Sequence, residues 1–99
     1  MLVEFEDDDL RRLYEEAGFR LPGFSPELAR AFRKLVSFAQ QAPDARDLRN
    51  MKSLHFEKLK GKRAGTYSMQ LNKKDRLVFR LKDTSEGKSV VVVEVGDYH

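Results

Sequence analysis

Tyr67-Ser68-Met69-Gln70-Leu71, then Asn72-Lys73-Lys74-Asp75, then Arg76-Leu77-Val78-Phe79-Arg80-Leu81-Lys82 is the stretch that decides the fold. Tyr67, Met69 and Leu71 alternate with Thr66, Ser68 and Gln70, so one side of an extended chain is apolar and the other polar. Leu77, Phe79 and Leu81 repeat the pattern after a polar turn at 72–75, which makes the pair an antiparallel hairpin. A loop is expected at 83–88. Val90 to Val95 is the most β-prone run of the chain and predicts a central strand.

Working toward the N-terminus, the apolar period changes from two to 3.6. Ser25-Pro26-Glu27 has the form of a helix start: a capping hydroxyl, a proline in the first turn and an acid at the positive end of the dipole. Leu28, Phe32, Leu35, Val36 and Ala39 then share one face, with Arg30, Arg33 and Lys34 off it. Pro43-Asp44 ends this helix and caps a short third one running to Met51, with Leu48 and Met51 apolar. Asp7, Asp8 and Asp9 open an earlier helix with Leu10, Leu13, Tyr14 and Ala17 on one stripe and Gly18 as its stop. Leu2 to Glu6 is a short first strand. The expected class is therefore α+β: an N-terminal strand and two or three helices packed on a small, mainly antiparallel sheet, in a single domain over residues 1–99. Helices must cover the apolar sheet face, which leaves the face carrying Gln70, Arg76, Arg80 and Lys82 open.

Composition narrows the function. The 99 residues include no cysteine, and the two histidines are far apart, so no thiolate or histidine cluster suggests a metal, and no cofactor is expected. No apolar run is long enough to cross a membrane, and the acidic start is unlike a secretory signal, so a cytoplasmic protein is expected. The net charge of +3 is unevenly spread: residues 1–50 hold eight Lys/Arg against ten Asp/Glu, whereas 52–82 hold ten against two. Such a bias, folded onto one face, suits a polyanion.

Two segments carry chemistry. Lys58-Leu59-Lys60-Gly61-Lys62-Arg63-Ala64-Gly65 places four cations within six residues, punctuated by two glycines, directly before a strand. Asp97-Tyr98-His99 sets an acid, a phenol and an imidazole side by side. A ribonuclease that uses the 2′-OH of its substrate as nucleophile needs cations for the extra phosphate charge, a base for the 2′-OH and an acid for the 5′-oxygen. Lys60, Arg63, Arg76 and Arg80 suit the phosphate, with Lys58, Lys62 and Lys73 as further RNA contacts. His99 can serve as acid or base, Tyr98 can stack on a nucleotide base and Asp97 can hold an imidazole or an arginine. On its own, each segment has a plainer reading as a solvated loop or an inert terminus.

The run from Leu54 to Asn72, Arg76-Leu77-Val78-Phe79 and the closing Val93-Glu94-Val95-Gly96-Asp97-Tyr98-His99 together resemble the HigB-type toxins of the RelE/ParE superfamily. The resemblance extends through nearly all of residues 54–99, and the N-terminal strand-helix-helix order also fits. It implies a type II toxin: a ribosome-dependent mRNA endonuclease neutralised by a cognate, HigA-like helix-turn-helix antitoxin. It also assigns catalytic roles to Asp97, Tyr98 and His99 as the family's terminal tripeptide and to Lys60 before Gly61, and it matches Arg76 to the arginine of the following strand, as an RNA contact. Where some members carry a catalytic histidine, this sequence has Glu57, and His55 lies two residues earlier, on the same strand face if the segment is extended. Either Glu57 or His55 can act as base. Two other readings compete: a ParE-like inhibitor of DNA gyrase, which has no need of the terminal tripeptide, and a noncatalytic nucleic-acid-binding module.

Overall fold

A computed structural model describes residues 1–97. Strands β1 (Leu2–Phe5), β2 (Glu57–Lys58), β3 (Tyr67–Gln70), β4 (Arg76–Thr84) and β5 (Gly87–Gly96) form one sheet in the order β1-β5-β4-β3-β2. Only β1 and β5 run parallel; the other neighbours are antiparallel. Helices α1 (Asp8–Glu15), α2 (Pro26–Gln41) and α3 (Ala45–Asn50) complete the α+β architecture. The valine run is an interior strand as expected, although the middle position belongs to β4.

The helices begin where their capping residues dictate. Asp7 accepts from Leu10 N at 3.1 Å and Ser25 from Leu28 N at 3.1 Å, each satisfying an orphan donor of the first turn. Asp44 and Asp47 form a reciprocal box: Asp44 Oδ1 accepts from Arg46 N at 3.0 Å, and Asp47 Oδ2 accepts from Asp44 N at 3.1 Å. The first helix stops earlier than its apolar stripe suggests. Glu16 is already extended, Ala17 and Gly18 are exposed, and Gly18 does not take the left-handed conformation of a helix stop. Arg33, half-buried on α2, instead donates from Nε to Leu13 O at 2.8 Å and satisfies a last-turn carbonyl. Likewise α3 ends at Asn50, one residue short of the expected Met51, which is 42% exposed.

One core lies between the helices and the inner face of the sheet. Leu10 and Leu13 from α1, Phe32, Leu35, Val36 and Ala39 from α2, and Leu48 from α3 meet Met69, Leu77, Phe79, Val90 and Val92. Phe32 and Phe79 are wholly buried, and burial of such side chains is worth about 1.5–3 kcal/mol each. Phe56 and Tyr67 extend the cluster along the sheet, with ring centroids 5.7 and 5.9 Å from Phe79.

Two features of the sheet depart from the sequence reading. The expected loop at 83–88 shrinks to a two-residue turn at 85–86: β4 runs on to Thr84 and β5 starts at Gly87, with Thr84 opposite Gly87 and Lys88 Nζ 2.6 Å from Asp83 Oδ1. Its polar composition reflects strands that run on past the helical layer, where neither side chain direction meets the core. The second departure is a bulge. Val78 pairs with Glu94 but Phe79 pairs with Val92, so Val93 has no residue opposite. The extra residue reverses the alternation, placing Val95 against the core and Glu94 on the outer face.

The Asp44 carboxyl is held below the ordinary carboxylate value of 3.8, chiefly by the hydrogen bond from the Arg46 backbone N–H and further by the Arg46 charge. A depressed folded value means that this cap stabilises fully above the ordinary value and is lost as pH falls through the depressed one. Asp44→Ala is expected to lower the melting temperature at pH 7, and the difference from the unaltered protein should shrink on acidification. A difference that does not change between pH 7 and pH 2 would contradict the capping role.

Candidate RNA-cleaving face

The outer face of the sheet, away from the helices, carries most of the candidate residues in registered rows. Glu57, Ser68, Val78 and Glu94 lie opposite one another across β2, β3, β4 and β5. Gln70, Arg76 and Gly96 form the next row, toward the ends of β3 and β5. Arg80 and Val91 with Glu4 form a row on the other side, toward β1.

Arg76 is the main correction. It was expected on an open face, yet it is 7% exposed. Its Nε donates to Ser68 Oγ at 2.7 Å, and its Nη2 donates to the His55 carbonyl and lies 3.6 Å from Glu57 Oε2. Strand alternation tells which side a residue takes, not whether neighbours cover it. Here the guanidinium folds down onto Ser68, which is itself wholly buried although it lies on the outer side. Arginine suits the place because its planar fork reaches a hydroxyl, a carbonyl and a carboxylate at once.

His55 is not on a strand. It ends a single 3₁₀ turn at Lys52–Leu54 in a left-handed conformation, φ 47°, ψ 53°. Its backbone carbonyl, bound by Arg76, helps hold this unusual geometry. The two-residue strand β2 starts only at Glu57, so the expectation that His55 and Glu57 share one strand face does not hold. Glu57 is exposed and stands beside Arg76 on the outer face.

The cationic loop between β2 and β3 is built from its glycines. Leu59 N donates to Thr66 O at 3.0 Å, extending the ladder, after which Gly61–Arg63 makes one 3₁₀ turn. Gly61 at φ 66° and Gly65 at φ 90° take conformations that side-chain-bearing residues rarely adopt. The Arg63 carbonyl accepts from both Thr66 N and Thr66 Oγ1, at 3.1 and 2.6 Å, and its guanidinium pairs with Glu94. Arg63 therefore reaches over the outer face, in the same row as Glu57. Lys60 and Lys62 are exposed on the loop, with no acid partner among the described residues.

The remaining candidates separate. Lys58 pairs with Tyr67, whose ring lies on the core side, so Lys58 projects from the opposite side of β2 to Glu57. Lys73 sits in the turn beyond β3, at the opposite strand end from the Lys60 loop; Asn72 Oδ1 accepts from Lys74 N and Asp75 N there. Arg80 is ion-paired with Glu6, and Lys82 Nζ lies 3.6 Å from Glu4 Oε2. Asp97 follows Gly96, the residue opposite Arg76. Tyr98 and His99 lie outside the described residues. Ser68 and Glu94 were missed by sequence reasoning; a glutamate inside a valine strand was the one available sign of an occupied outer position.

The family model for HigB, a RelE-like toxin of type II toxin–antitoxin systems, matches residues 3–99. The chain belongs to this family. It is the toxin of a type II pair, and the RelE-like family is known for ribosome-dependent mRNA cleavage. Its fold is similar to that of the YoeB/ParE toxin from Agrobacterium tumefaciens, with a TM-score of 0.60 at 18% identity over the full length of both chains. It is also similar to a chain of the YoeB-YefM complex from Staphylococcus aureus, at TM-score 0.54 and 17% identity, covering 100% of this chain and 98% of the other. The YoeB dimer from Staphylococcus aureus gives TM-score 0.54 at 19% identity, covering 100% and 97%. No curated protein matches the chain.

Arg76→Ala is expected to destabilise the toxin by about 1–3 kcal/mol in chemical denaturation, because it strands the buried Ser68 hydroxyl and the His55 carbonyl. Lys60→Ala should leave the denaturation midpoint unchanged. Equal, negligible effects at both positions would show that the Arg76 contacts do not hold the face together.

Proposed function

We propose that this toxin cleaves mRNA on the ribosome by general acid/base catalysis, with the RNA 2′-OH as nucleophile. The observation that carries the reading is the placement of Glu57 beside the anchored Arg76, on the face where Arg63 and the end of β5 converge. The Glu57 carboxylate takes the 2′-OH proton as the 2′-oxygen attacks phosphorus. The P–O5′ bond breaks, and His99 donates a proton to the departing oxygen. The products are a 2′,3′-cyclic phosphate and a 5′-hydroxyl.

The other groups divide by exposure. Lys60 stabilises the charge that develops on the phosphoryl oxygens, Arg63, paired with Glu94, holds the cationic loop over the site, and Arg76, engaged below the surface, holds Glu57 in place. Asp97 orients the terminal imidazole and Tyr98 stacks on a nucleotide base. Lys58, Lys62 and Lys73 contact the RNA backbone from the rim. The partners are ribosome-bound mRNA and a HigA-like helix-turn-helix antitoxin, and the place of action is the cytoplasm. Among the described residues no helix is long and apolar enough to cross a membrane.

Glu57→Gln is expected to lower ribosome-dependent cleavage by about 10²-fold or more while ribosome association persists. His55→Asn, which tolerates the left-handed conformation, should retain most activity. Deleting Tyr98 and His99 should abolish growth arrest without loss of folding. An inactive His55→Asn beside an active Glu57→Gln would assign the base to His55 instead.

A further inference from the structure

The outer face is divided electrically into two halves. On the β1 side, Arg80 pairs with Glu6 and Lys82 with Glu4, each acid reaching across β5 to β4. Glu4 is held in position by Ser89, whose hydroxyl donates to Glu4 Oε2 at 3.1 Å. Two cations thus meet two acids, and this half has no net charge. On the β2 side, the loop residues Lys60 and Lys62 are exposed and have no acid partner among the described residues.

We infer that Glu4 and Glu6 confine bound RNA to the β2 side of the face, so that the backbone tracks along Lys60 and Lys62 toward Glu57 and does not run along Arg80 and Lys82. This rests on the RNA-binding reading above and adds residues that determine the path of the substrate. Distance makes the division effective. Neighbouring strands are about 4.8 Å apart, so β1 lies about 10 Å from β4 but about 19 Å from β2. Screening at physiological salt has a length of about 8 Å, so the β1 acids act on Arg80 and Lys82 and hardly at all on the β2 loop. A phosphate arriving at Arg80 must displace Glu6 and releases little beyond the ion pair already made. At Lys60 it releases a condensed cation from the RNA, and this release drives binding.

The test is the salt dependence of binding to single-stranded RNA with 2′-O-methyl ribose throughout, which cannot be cut by 2′-OH attack. Lys60→Gln and Lys62→Gln should each flatten the slope of log K against log salt by about 0.7. Arg80→Gln and Lys82→Gln should leave it unchanged in the otherwise unaltered toxin. The double variant Glu4→Gln, Glu6→Gln, near-isosteric and at exposed positions, should bind more tightly and steepen the slope by up to about 1.4, the contribution of two added phosphate contacts. Flattening by Arg80→Gln equal to that by Lys60→Gln would overturn the inference, as would a double variant identical to the parent. Binding by the parent without any salt dependence would instead remove the RNA-binding reading itself.

Discussion

A guanidinium buried on the outward side of the sheet holds the functional face together. Arg76 opens β4, yet its contacts lie on β3, on β2 and on the turn before β2. Apart from it, the two-residue strand β2 is tied to the sheet by its short ladder with β3, marginal for a strand pair, and by the neighbouring Phe56 packed against Tyr67 and Phe79. A buried cation is costly to leave unpaired, so the segment from His55 to Glu57 is fixed by the need to satisfy it. The group that fixes Glu57 is thereby also a structural group, and the two roles cannot be separated by deletion alone.

The second constraint is the unpaired Val93. One extra residue in β5 turns Glu94 outward, where it meets Arg63, and turns Val95 inward to the core. The same reversal sets the direction in which the chain leaves the sheet toward Asp97. Bulges bend strands and redirect side chains beside functional sites, and here the bulge lies next to the row containing Glu57. The cationic loop is brought over that row by the Arg63–Glu94 pair and by the two Thr66 hydrogen bonds to the Arg63 carbonyl.

Much of the fold was legible because its signals are local. Ser25-Pro26 marks the start of α2, the alternation at 67–82 marks the hairpin, and the valine run marks an interior strand. What escaped depends on long-range pairing. A bulge within four successive valines leaves no trace, since every residue there suits either side. The extension of β4 and β5 into 83–88 was hidden because strands without a core beneath them lose their apolar alternation. For the site, the sequence showed which residues lie on the outer side but not which are covered or neutralised. Arg76 is covered by its own partners, and the acids that meet Arg80 and Lys82 come from β1 and the residue that follows it, more than seventy residues away in the chain. Charge counts over 52–82 therefore overstate how basic the face is.

The central claim is that the RNA supplies its own nucleophile on the face organised by Arg76. It is tested most directly by the chemistry of the cut ends on ribosome-bound mRNA. The account predicts a 5′-hydroxyl on the downstream fragment, a 2′,3′-cyclic phosphate on the upstream one, and no cleavage when the ribose at the cut site is 2′-O-methylated. A downstream 5′-phosphate, or unimpaired cleavage of the 2′-O-methylated message, would contradict it.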